Sequence, residues 1–171
     1  MNAFRLLTED DIEVKVKKVS EKGVVLLLYK TARTDMDLLD EHFGPECWEC
    51  RYEEIKGNLY CGIGVTFGDR VVWKWDCGIE SREDGEGNQK KGEASDAFKR
   101  AGFKWGIGRE LYTAPFIFIP ASKVDIKDGR KTFDTFRVEK IAYEGRAISG
   151  LAIKNNNTDK RCFVWKKGEA G

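Results

Sequence analysis

Three strand-like runs joined by two very short turns constrain this chain more than any other feature. Trp48–Ile55, 59–67 and 70–78 are separated by Lys56-Gly57-Asn58 and by Gly68-Asp69. Turn-forming separators this short favour hairpins, so the runs predict an antiparallel meander. Strand alternation then places Trp73 and Trp75 on one face and Lys74 on the other. Gly62-Ile63-Gly64 falls inside the middle run instead of opening a helix, so it is no dinucleotide-binding turn; the glycines are expected to allow close strand packing or a bulge.

Helices and strands are predicted on both sides of the meander. Thr8 and Asp11 have capping-box spacing, and Ile12, Val16 and Val19 follow at helical spacing, which predicts a first helix over 8–18. The short apolar run 24–29 behind Gly23 predicts a buried strand. Met36, Leu39 and Phe43 predict a helix over Ala32–Phe43 that Gly44-Pro45 stops. Ser81 to Gln89 reads as an exposed loop. Ala94, Phe98, Ala101 and Trp105 form one stripe of a helix over 91–108, which predicts a core-facing side. Pro115 and Pro120 bracket the apolar Phe116 to Ile119, a polar loop holds Asp128-Gly129, and three further strands are expected over 135–143, 147–154 and 161–166.

A chain of 171 residues suits one domain, and no repeat or composition shift marks a boundary. With 41% hydrophobic residues it can build a core. Thirty Lys and Arg against 29 Asp and Glu mean that any polyanion binding must come from local clustering. The first ten residues lack the apolar centre of a secretory signal, no run is long enough to span a bilayer, and five irregularly spaced cysteines suit reduced thiols. These features predict a soluble, cytoplasmic protein.

Local clustering is found on the 91–108 helix. Lys99, Arg100, Phe103 and Lys104 project into one sector, and from Gly87 to Arg109 six cations face two carboxylates. Cations that track phosphates beside a ring that stacks on bases are what single-stranded nucleic acid requires; a solvated helix face is the competing explanation. Trp73-Lys74-Trp75 and Trp165-Lys166-Lys167 are further basic-aromatic interleavings, whose tryptophans core packing explains at least as well.

Other chemistries find less support. Cys47-Trp48-Glu49-Cys50 lacks the second half of a zinc motif and enters a strand, not a helix as a redox pair would. The loop Gly87 to Gly92 has phosphate-loop glycine spacing, but Glu93 stands where a lysine is needed. His42 is the sole histidine, so a Ser/His/Asp or Cys/His arrangement would rest on it alone. The acidic clusters at Glu9-Asp10-Asp11 and Glu83-Asp84 suit a helix start and a solvated loop. No enzyme is predicted.

The run Lys91-Gly-Glu-Ala-Ser-Asp-Ala-Phe-Lys-Arg-Ala-Gly-Phe-Lys-Trp-Gly106, continuing as Ile-Gly-Arg-Glu-Leu-Tyr112, resembles the Rad-fifty-two-type single-strand annealing family, especially its short phage and prophage members. Thr31-Ala-Arg33, Phe43-Gly-Pro-Glu-Cys-Trp48 and Leu59-Tyr-Cys-Gly-Ile-Gly64 precede it in the family's order, so the resemblance covers about residues 6 to 120. It implies an α+β fold with a β-β-β-α core, here an antiparallel β-meander on the signature helix, and leaves 121–171 as a C-terminal strand-rich extension of a single domain. It also implies a homo-oligomeric ring and ATP-independent annealing of complementary strands in recombination and repair, with no cofactor.

Residue by residue, the resemblance carries DNA binding to Lys99 and Arg100, and to Arg33, with Thr34 as the competing register. A further family cation falls on Phe103, with Lys104 immediately after it. The lysines of the family's second site fall on Asn58 and near Asp84, leaving Lys56, Lys90 and Lys91 as candidate substitutes. A phage exonuclease and a single-strand-binding protein are the partners implied, in the bacterial host cytoplasm. The rival readings are a strand-end protector without annealing, a protein-protein interaction module, and a thiol or zinc enzyme using Cys47 and Cys50.

Overall fold

The computed structural model describes residues 3–79 and 86–168, and of 86–90 the backbone only. In chain order the elements are β1 (Ile12–Ser20), β2 (Gly23–Lys30), α1 (Ala32–Phe43), β3 (Trp48–Ile55), β4 (Asn58–Phe67), β5 (Arg70–Cys77), α2 (Glu86–Trp105), β6 (Ile117–Pro120), β7 (Phe136–Glu144), β8 (Ala147–Asn155) and β9 (Lys160–Lys166). The class is α+β with antiparallel sheets. Two compact units result, each discontinuous in sequence: one comprises the chain start to Arg5 and Thr31–Gly108, the other Leu6–Lys30 and Arg109 onward. No helix among the described residues is long and apolar enough to cross a membrane.

The first unit contains the β-β-β-α core. Strands β3, β4 and β5 pair antiparallel in chain order, with Gly62 opposite both Arg51 and Trp75, and Gly64 opposite Trp73. Lys56 and Gly57 both adopt left-handed backbone, φ 54° and 77°, which closes the first hairpin tightly. Helix α2 packs on β4 and β5, burying Ala97, Phe98, Ala101 and Trp105 against Cys61, Ile63 and Val65. The buried stripe runs through Ala97 in place of the expected Ala94, which is half-buried. The helix also starts earlier than its spacing indicated: Glu86 to Gln89 are helical, while 81–85, the rest of the expected loop, lie outside the described residues.

Helix α1 begins and ends where its punctuation indicated. The Thr31 hydroxyl accepts from the Thr34 N–H at 3.0 Å, and the Gly44 N–H closes the last turn on the Asp40 carbonyl with φ 90°. Leu38 and Leu39 are buried, whereas Met36 of the expected stripe is exposed. Phe43 meets Phe4, Phe67 and Trp105 edge to face at centroid distances of 5.5, 6.0 and 6.0 Å.

In the second unit the strand order is β6-β2-β1-β7-β8-β9, and β6 approaches β9, so the sheet nearly closes into a barrel. The expected helix over 8–18 does not form. The capping contact exists, since Asp11 accepts from the Thr8 N–H at 2.7 Å, but it closes a single 3-10 turn over Glu9–Asp11. From Ile12 the β-branched residues Ile12, Val14 and Val16 alternate with Glu13, Lys15 and Lys17, and that period of two, paired with β2 from Ile12↔Lys30 onward, outweighs the weaker helical spacing. The C-terminal strands join this sheet through β7, which pairs with β1 at Glu13↔Arg137 and Val14↔Phe136.

Candidate nucleic-acid interface

Helix α2 is held to the meander by polar contacts as well as by its apolar stripe. The Glu93 carboxylate accepts from the Leu59 N–H at 2.9 Å, Asp96 accepts from the Ile79 N–H at 3.0 Å, and the Trp105 indole N–H donates to the Ile63 carbonyl at 3.0 Å. The two carboxylates that dilute the helix's basic charge in the sequence are therefore committed to backbone donors, Glu93 on β4 and Asp96 on the segment that follows β5. Glu93 is buried, which explains the acid at the position where a phosphate loop needs its lysine.

The expected cations divide into two groups. Lys99, Arg100 and Phe103 are half-buried along the helix, while Lys104 is exposed. Asp76 on β5 stands 3.7 Å from the Arg100 Nε and 3.6 Å from the Lys104 Nζ, so one carboxylate serves both. The Lys104 ammonium also donates to the Trp75 carbonyl at 2.5 Å. Lys104 is thus a strut between helix and sheet. Arg100 keeps 41% of its side chain exposed, while its buried Nε faces Asp76 without a hydrogen bond.

Lys74, which strand alternation sets on the face opposite Trp73 and Trp75, is absent from the cations expected to bind DNA but joins this face. It crosses from β5 to donate to the Lys104 carbonyl at 3.0 Å, and its ammonium lies 4.4 Å from the Trp105 ring centroid. A cation on the last carbonyls of a helix is favoured by the helix dipole, and the ring below adds a cation–π contribution. Alternation in β5 is the signal that points to it, because it sets Lys74 on the face opposite Trp73 and Trp75.

In the first turn of α1, Arg33 is exposed and Thr34 is buried, its N–H committed to the cap. Of the two competing registers, Arg33 is the one with a side chain facing solvent. Lys56 and Lys91 are exposed, and the Leu59–Glu93 bond ties the strand that follows the Lys56 turn to α2 two residues after Lys91. The Lys90 side chain lies outside the described residues.

The two tryptophans occupy the sheet face away from α2. Their rings stack at 5.7 Å and 28°, and the Arg51 guanidinium lies 4.6 Å over Trp73 while it pairs with Glu49 at 3.2 Å. The reason for Gly62-Ile63-Gly64 lies here: a Cβ on Gly62 would come within 2.4 Å of the Trp75 ring, and one on Gly64 within 2.7 Å of Trp73. Bare backbone lets both indoles lie flat on the strand.

In the second unit Lys15 lies 5.4 Å over the Tyr29 ring, and Lys15, Lys17 and Lys18 are all exposed on β1. Helical spacing over 8–18 hides this basic-aromatic surface; the alternation of β1 is the signal that reveals it.

Burial acts on the thiols of Cys61 and Cys50. Burial pushes Cys61 up to about 12 and also raises Cys50, where Glu49 adds to the effect. A nucleophilic or metal-binding cysteine needs the reverse shift. Among the described residues no group of three or more His, Cys, Asp and Glu is placed to hold a metal ion.

Compared with known proteins, the chain matches no family model, no curated protein and no solved structure.

Proposed function

We propose that this protein binds single-stranded DNA and anneals complementary strands without ATP, as a homo-oligomer, in recombination and repair. The observation that carries the reading is α2: Lys99, Arg100 and Phe103 lie together on a helix whose acids Glu93 and Asp96 are committed to backbone N–H groups of Leu59 and Ile79. Such a surface holds phosphates without reading sequence, and the ring adds base stacking. Base pairing supplies the driving free energy, so the protein acts by binding and display with no bond made or broken. Arg33 contributes phosphate contact from α1, while the exposed Lys56 and Lys91, with Lys90 as a further candidate from the sequence, serve a second DNA site. The surface around Lys15 and Tyr29 in the other unit suits the same ligand. In this reading the protein works in the cytoplasm of a bacterial host beside an exonuclease that exposes the strand and a single-strand-binding protein.

The test is the rate at which two complementary fluorophore-labelled oligonucleotides pair without ATP, with wild type and with Lys99→Ala/Arg100→Ala. Acceleration that the variant loses is expected. Tight strand binding without acceleration would point to strand protection, and the absence of both would leave docking to an acidic protein.

A further inference from the structure

Strands β7, β8 and β9 carry a groove of about 430 Å³ on one face of the second unit, in a part of the chain that the proposed function does not use. Its geometry follows from register. Lys140, Ala152 and Val164 stand opposite one another across the three strands, and Ala142, Gly150 and Lys166 form the next row. Residues directly opposite in antiparallel strands share a face, so two rows of this kind make a floor of Ala142, Gly150 and Ala152 flanked by Lys140 and Lys166. Arg161 also lines the groove, held by Glu139 at 2.5 Å. The lining holds three cations, Arg161 paired with Glu139 among them, and no carboxylate of its own. Val164 is 65% exposed beside them.

The floor determines which ligand fits. Strand β8 is an inner strand, hydrogen-bonded to β7 on one side and β9 on the other, and the open edge of the terminal strand β9 lies in the plane of the sheet, so a peptide laid on this face finds no strand edge to pair with. The groove therefore offers a flat, small-residue surface and positive charge, and few directional hydrogen-bonding groups. An acidic peptide would forfeit its backbone hydrogen bonds there. A sugar-phosphate chain needs none, because its charges repeat along its length and its contacts are electrostatic and apolar.

We propose that this groove is a sequence-neutral binding site for the phosphate backbone of single-stranded nucleic acid, with Lys140 and Lys166 as its phosphate contacts. The inference rests on the reading that the chain binds nucleic acid, and it adds a site on the C-terminal strands that is separate in sequence from Lys99 and Arg100.

The experiment is a salt series of fluorescence-anisotropy titrations with a labelled oligothymidylate. It compares wild type, Lys140→Ala/Lys166→Ala, Lys140→Arg/Lys166→Arg and Lys99→Ala/Arg100→Ala. The alanine pair on the sheet should weaken binding about tenfold at low salt and lower the log–log salt slope by about 1.4, two single-strand phosphate contacts' worth. The arginine pair should restore both, which separates lost charge from lost folding. If wild type binds and the sheet alanine pair keeps its affinity and slope, the groove is not a phosphate site while the α2 reading stands. The groove is equally excluded if the arginine pair binds as weakly as the alanine pair. If wild type does not bind the oligonucleotide, the nucleic-acid reading fails and this inference fails with it.

Discussion

Two residues show how single atoms shape this surface. Asp76 lies within ion-pair distance of both Arg100 and Lys104, at 3.7 and 3.6 Å, and it costs the patch a charge while it orients both cations. Replacing it by Asn keeps the shape and removes the charge, so Asp76→Asn should tighten single-strand binding by about threefold at low salt, with the gain fading as salt screens it. Gly62 is the opposite case, a residue whose value is the atom it lacks. A methyl group there would overlap the Trp75 ring, with a nearest approach of 2.4 Å, so Gly62→Ala should cost about 1 to 3 kcal/mol of stability, read as a lower midpoint in urea unfolding. The glycines are visible in the sequence as a sign of close packing. Their partner is not, because register decides which side chain crosses above them.

Among the elements, α2 is the piece on which the function depends, and its attachment can be tested apart from its charge. Glu93→Ala would leave the Leu59 N–H without its carboxylate partner, which costs about 1 to 3 kcal/mol when the donor is buried. The melting temperature should fall, while the salt slope of strand binding stays at the wild-type value. The meander, α1 and the three C-terminal strands are all legible from turns, caps and alternation, which are interactions between near neighbours. The first element is not. Thr8 and Asp11 form their expected contact, yet the chain beyond them becomes β1 because Ile12, Val14 and Val16 find a partner in β2, and spacing within one segment carries no information about that partner. The Lys15–Tyr29 contact is hidden for the same reason.

Across the molecule, acid is expected to act on the second unit. Arg161 holds the Glu139 carboxyl below its ordinary range, Lys167 does the same for Glu144, and Arg137 with Lys154 for Asp159. A carboxylate whose folded value is depressed contributes stability above its unfolded value and loses it as the pH falls through the folded one. Stability should therefore decline on acidification through and below the usual carboxylate range. Glu139→Gln should flatten that decline, as thermal unfolding followed against pH would show; an unchanged profile would mean that these exposed pairs add little.

Local features are legible in the sequence alone: where strands turn, where α1 is capped, which face of α2 is apolar, and that cations gather on its other side. These follow from backbone geometry and from contacts a few residues apart. Folding settled what depends on distant partners. It committed Glu93 and Asp96 to the backbone N–H groups of Leu59 and Ile79, made Lys104 a strut, set Asp76 between two cations, laid Trp73 and Trp75 over two glycines, and joined the C-terminal strands to β1. A charge in a sequence has a sign but no neighbours, and the chain acquires those neighbours only by folding.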